Sequence, residues 1–162
     1  MKIVIILAIS LISVTTQAAG RVYGAALVAT TLVYRAPNGD TTAPVKDMSP
    51  IVGLGYLLND TTSVELDVGP TFMDGEYVSL TLVPSVNWNF GKYFYSTSRF
   101  LIMVDPFVNI AWLPGVGTYY AFDSGLAPFA EVEMLMGYEG KKPDLSRLYS
   151  GLAFATGLTY LF

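Results

Sequence analysis

The chain has no cysteine and no histidine. Without cysteine there is no disulfide framework, no thiol nucleophile and no thiolate metal site. Without histidine it lacks the side chain most suited to proton transfer near neutral pH, and the base that activates serine in hydrolytic triads. Charge is scarce too: charged residues are 14% of the 162, against roughly 25% in soluble domains. The net charge is −4, and no cluster of Lys and Arg could neutralise a row of phosphates. No nucleic-acid partner is therefore expected. Beyond the first residues, no window holds the ~18–20 uninterrupted apolar residues that a membrane helix needs.

What is abundant is apolar surface: 52% hydrophobic residues, with eleven Tyr, nine Phe and two Trp. That suits an exterior facing lipid and ends facing headgroups. Met1-Lys2 followed by the apolar run Ile3 to Val14 and by Thr16-Gln17-Ala18 reads as a signal peptide over 1–18. A single domain is expected over 19–162, with the mature chain starting near Ala19.

The body is dominated by period two, the repeat of a strand. From 63 to 72, Val64, Leu66, Val68, Pro70 and Phe72 oppose Ser63, Glu65, Asp67, Gly69 and Thr71. Similar stretches predict eight strands, over 21–35, 51–58, 63–72, 77–90, 99–113, 118–122, 127–138 and 148–162. Asn59-Asp60-Thr61, Asp74-Gly75, Pro114-Gly115-Val116-Gly117 and Asp123-Ser124-Gly125 read as turns. Residues 91–98 read as a connection, and 36–49 and 139–147 as the longer loops. No internal repeat is visible.

In the last stretch, Leu152, Phe154, Leu158, Tyr160 and Phe162 share a face opposite Gly151, Ala153, Ala155, Gly157 and Thr159. An open edge of this kind invites pairing with other chains, whereas a closed barrel has none. Gly157, Tyr160 and Phe162 resemble the Gly-x-x-aromatic-x-Phe ending of bacterial outer-membrane β-barrels; Ala155 stands where that family often has a polar residue. The layout resembles small barrels of the OmpA-transmembrane-domain and OmpX type. The resemblance implies an all-β fold, a transmembrane antiparallel up-and-down barrel of eight strands in the bacterial outer membrane. It also implies outer-membrane lipid as surroundings, the barrel-assembly machinery as a partner through the strand ending in Phe162, and a monomer.

An even strand count would put loops 36–49, 74–76, 114–117 and 139–147 outside the cell. Tyr34, Phe72, Tyr77, Trp112, Tyr119, Tyr138 and Tyr149 would then form an outer aromatic girdle. Tyr56, Trp88, Phe90, Tyr93, Phe94, Tyr95, Tyr160 and Phe162 would form an inner one. Pro70, Pro84, Pro106 and Pro128 fall inside strands, on the apolar face, and read as bulges or bends. A lateral door for lipid, as in the outer-membrane palmitoyltransferases, is the alternative reading of these prolines.

Eight strands enclose a space that side chains can fill. Glu65, Asp67, Arg99, Asp105, Glu131 and Glu133 are the candidate interior polar cluster, with Arg21 or Arg35 as further cations. Buried charges must pair, so a salt-bridged plug with a structural or surface-interaction role is the leading reading. Carboxylate chemistry on lipid A is the alternative, although the outer-membrane palmitoyltransferases and deacylases rely on a His that this chain lacks. A narrow cation-preferring pore beside Gly53, Gly55, Gly151 and Gly157 is the third. No catalytic residue, cofactor or metal site is assigned; Glu131-x-Glu133 alone is too common a spacing to mark a metal.

Overall fold

Alternating side chains commit a strand to two unlike faces, and such strands must share one interior. The computed structural model describes residues 22–35, 39–42, 48–73, 76–104, 108–138 and 148–162. Among them there is no helix. Eight long strands follow in order: β1 (Val22–Arg35), β2 (Met48–Leu57), β3 (Thr62–Met73), β4 (Glu76–Phe90), β5 (Phe94–Val104), β6 (Val108–Tyr119), β7 (Leu126–Tyr138) and β8 (Leu148–Leu161). Thr41–Thr42 adds a two-residue ladder against Tyr34 and Arg35. Each strand pairs antiparallel with the next. β1 also pairs with β8, from Tyr23 opposite Leu161 to Arg35 opposite Ser150, which closes the barrel.

One end, the near end, holds the start of β1, the end of β8 and the turns at 58–61, 91–93 and 120–125. The far end holds the ends of β1, β3, β5 and β7 and the starts of β2, β4, β6 and β8. Gly91 and Gly125 sit in near-end turns at φ of 80° and 83°, a region that disfavours any residue with a Cβ. At the closure, the Phe162 amide donates to the Val22 carbonyl at 3.1 Å.

Over most of each strand odd-numbered residues point inward and even-numbered ones outward; ladder irregularities at Thr31/Val33 and opposite Thr71/Phe72 reverse this and leave Val33 and Tyr77 exposed. The interior has a polar wall and an apolar one. Ser63, Glu65 and Asp67 of β3, Ser79, Thr81, Ser85 and Asn87 of β4, and Thr97 and Arg99 of β5 form the polar wall, all buried. Leu27, Ile51, Ala111, Leu113, Phe129, Leu135, Ala153 and Ala155 form the apolar one. The outer face is the reverse of a soluble protein's: Leu66, Ile110, Val116 and Met134 are each at least 50% exposed.

Several expectations need correction. Residues 99–113 are not one strand: β5 starts at Phe94 and ends at Val104, and β6 starts at Val108. The turn read at 114–117 lies within β6, and the break between strands falls instead between Val104 and Val108. The connection after β4 is 91–93 rather than 91–98, and β2 begins at Met48 rather than Ile51. Tyr119 consequently lies at the near end, paired with Phe129, and not among the far-end aromatics. Pro50 and Pro114 join Pro70, Pro84 and Pro128 inside strands, while Pro106 lies outside the described residues. Pro84 and Pro114 each fall where a neighbouring ladder skips two pairs, because proline has no N–H to give.

The registers also reveal a repeat. Tyr23 of β1 faces Gly55 of β2, which faces Glu65 of β3. Tyr95 of β5 faces Gly117 of β6, which faces Glu131 of β7. One row along, Gly53 faces Asp67 and Gly115 faces Glu133. Aromatic, Gly-x-Gly and acid-x-acid thus recur on strands one to three and five to seven. Unequal loops hide the spacing in the linear chain.

Candidate functional site

Five of the six cluster candidates converge in the interior. Arg99 is the hub. Its Nη1 lies 2.5 Å from Glu131 Oε1, its Nε 3.5 Å from Glu133 Oε1 and its Nη2 3.9 Å from Glu65 Oε1. All four side chains are nearly inaccessible to solvent. Asp67 is fully buried two residues from Glu65, on the same face of β3. Asp105 lies outside the described residues, as does Arg21; Arg35 is exposed at the far end and takes no part.

The geometry depends on the glycines between the partners. Arg99 and Tyr95 stand on β5 and Glu131 and Glu133 on β7, with β6 between them. A Cβ on Gly115 would collide with Glu133, and one on Gly117 with the Tyr95 ring. Bare backbone on β6 therefore lets the two strands' side chains meet over it. Tyr95 donates its hydroxyl hydrogen to Glu131 Oε2 at 2.8 Å. In the other half, a Cβ on Gly55 would meet the Tyr23 ring, and Tyr23 donates to Ser63 Oγ at 3.1 Å. Asn87 Nδ2 approaches the same Ser63 oxygen at 3.5 Å. Asp67 lies over Gly53, where a Cβ would meet its carboxylate. Covering an inward glycine with a cross-strand ring or acid is a known way to keep a curved sheet packed.

The tyrosines are the functional residues that the sequence reading assigned elsewhere. Tyr95 and Tyr149 were expected in the girdles. Both carry odd numbers, the parity of the interior, and that signal was available. Tyr149 lies against Gly137, which it faces across the β7–β8 ladder. The even-numbered Tyr56, Trp88, Phe90, Phe94 and Tyr160 are exposed at the near end and Trp112 on the far half, as is the odd-numbered Tyr77, which a ladder irregularity turns outward. The side chains of Tyr34 and Tyr138 lie outside those described.

Chemically, the arrangement neutralises and cross-links. One guanidinium joins carboxylates from β3 and β7 to β5. The buried hydroxyls of Ser79 and Ser85 sit in a chain without histidine, so no imidazole activates them. Among the described residues, no three His, Cys, Asp or Glu side chains form a group that could hold a metal ion.

Fold and site together define a closed eight-stranded antiparallel barrel whose interior is bolted by an arginine-centred ion cluster. No family model matches the chain, and no curated protein matches it.

Proposed function

We propose that the chain is a bacterial outer-membrane β-barrel with a structural or surface-interaction role and an interior filled by its own side chains. One observation carries this reading: charges are inside and large apolar side chains outside. Val64, Leu66, Leu80, Trp88, Phe100, Ile110, Trp112, Val132, Met134, Leu152 and Leu158 are exposed on successive strands around the barrel. Water tolerates only apolar patches of a few hundred Å² on a monomer, whereas lipid solvates such a belt and requires the closed ladder beneath it. The exposed aromatics towards both ends match the positions at which rings meet headgroups.

The interior favours packing over catalysis. Arg99 is committed to three carboxylates, and the inward glycines 53, 55, 115 and 117 are covered by cross-strand side chains. The longer far-end connections, 36–47 and 139–147, would supply the contact surface outside the cell.

Gel mobility in SDS, unheated against boiled, tests the reading on protein from an outer-membrane fraction. A closed barrel stays folded in cold SDS and shifts on boiling. A soluble periplasmic protein with no shift would overturn the membrane assignment. Conductance steps in a planar bilayer would overturn the filled interior, and loss of a lipid modification in a stably folded Glu131→Gln variant would overturn the non-catalytic role.

A further inference from the structure

Near the near end, a run of small side chains interrupts the outer belt. Phe94, Thr118 and Ala130 stand side by side on β5, β6 and β7, all facing outward. The next residue along this row, Thr156 of β8, is small as well. A groove of about 600 Å³ opens there, with Thr118 and Ala130 as floor and Phe94, Tyr93, Tyr120 and Pro128 as walls. That volume is within the usual range of small-molecule sites. The walls are built rather than incidental. The rings of Tyr93 and Tyr120 stack with centroids 6.1 Å apart. Tyr120 is further held by its amide, which donates to the Pro128 carbonyl at 3.1 Å.

Charge identifies the occupant. The described residues include three cations: Arg35 at the far end, Arg99 inside, and Lys92 on the near-end turn beside this groove. Lys92 Nζ lies 5.2 Å from the centroid of the Tyr93 ring, one of the groove's walls. An apolar trough on the outer surface, with a cation over one of its aromatic walls, matches an amphiphile with acyl chains and a phosphate head.

We propose that this groove is a binding site for one phospholipid, its phosphate on Lys92 and the Tyr93–Tyr120 pair and one acyl chain over Thr118 and Ala130. The proposal rests on the membrane reading above.

Native mass spectrometry of the barrel released from detergent tests it, with dioleoyl phosphatidylglycerol or diolein added. The two carry the same chains, and only the first has a phosphate. One phosphatidylglycerol per barrel should survive activation that strips diolein, and Lys92→Gln should weaken its retention about fivefold, as expected for one cation at a membrane surface. Thr118→Phe, which fills the floor, should abolish retention. Equal retention of both lipids, or of phosphatidylglycerol by the parent and Lys92→Gln, would overturn the site; so would displacement of the lipid by inorganic phosphate alone. Lys92 is exposed on a turn, so its variant should keep the mobility shift on boiling. A chain that shows no such shift, yet binds the lipid in a Lys92-dependent way, would refute the membrane reading and leave the groove standing.

Discussion

The first four strands and the last four place the same parts in the same register, yet among the described residues only the second half carries a buried cation. Tyr23, Gly55 and Glu65 are matched by Tyr95, Gly117 and Glu131, and Gly53 and Asp67 by Gly115 and Glu133. One row further, Leu27 faces Ile51 where Arg99 faces Leu113. The tyrosine acceptors differ as well, a neutral hydroxyl on Ser63 against a carboxylate on Glu131. The first half thus holds two buried acids with no buried cation of its own among the described residues. Its Glu65 is reached by Arg99 from the second half at 3.9 Å. A single guanidinium therefore serves both halves, and the repeat explains why it ties them together: each half supplies an acid pair, and one side chain lies between.

The strongest way to break this comparison is to make the second half like the first. Arg99→Met leaves four buried acids without a cation and is expected to cost about 3–5 kcal/mol, the range for breaking a buried pair. Urea unfolding of the barrel refolded in vesicles measures it, and adding Glu131→Gln should recover part of the loss. A loss under about 1 kcal/mol would mean that the cluster is not the bolt.

Tyr95→Phe removes the hydroxyl that satisfies Glu131 and should cost about 1.5–3 kcal/mol, as for hydrogen bonds to charged groups. Gly117→Ala intrudes on the Tyr95 ring and should cost about 1–3 kcal/mol through overpacking; Gly55→Ala, which intrudes on Tyr23, should cost no more. The smallest effect expected is that of Tyr23→Phe, about 0.5–1.5 kcal/mol, because its acceptor is neutral. Equal losses for the two tyrosine variants would show that the charge on Glu131 does not strengthen its bond. All four follow from shifts of the urea midpoint at constant slope.

Much of the site could be read from parity. Glu65, Asp67, Glu131 and Glu133 occupy odd positions among outward-facing apolar residues, and Arg99 follows the same rule. Parity also pointed Tyr95 and Tyr149 inward, but aromatic residues near strand ends resemble girdle residues when facing is ignored. The segment Pro114-Gly115-Val116-Gly117 misled for a physical reason. Proline and glycine favour turns through their own backbone preferences. Here proline faces outward in a strand, and the two glycines are demanded by side chains of β5 and β7 that lie above them. That demand comes from residues up to some twenty positions away and leaves no local trace. Moving one strand break from between Val104 and Val108 to 114–117 also sent Tyr119 to the wrong end.

Over the regular stretches of the strands the sequence by itself determined which residues face in and which face out, and hence an apolar exterior around an interior that holds the ion cluster. Those properties follow from a two-residue repeat carried by each strand alone. Only the tertiary structure decided which inward residues meet: that Arg99 reaches Glu65, Glu131 and Glu133 together, and that glycines lie beneath Tyr23, Tyr95 and Asp67. Register between strands is set by packing across the whole barrel. A shift of two residues would preserve every facing and abolish every one of those contacts.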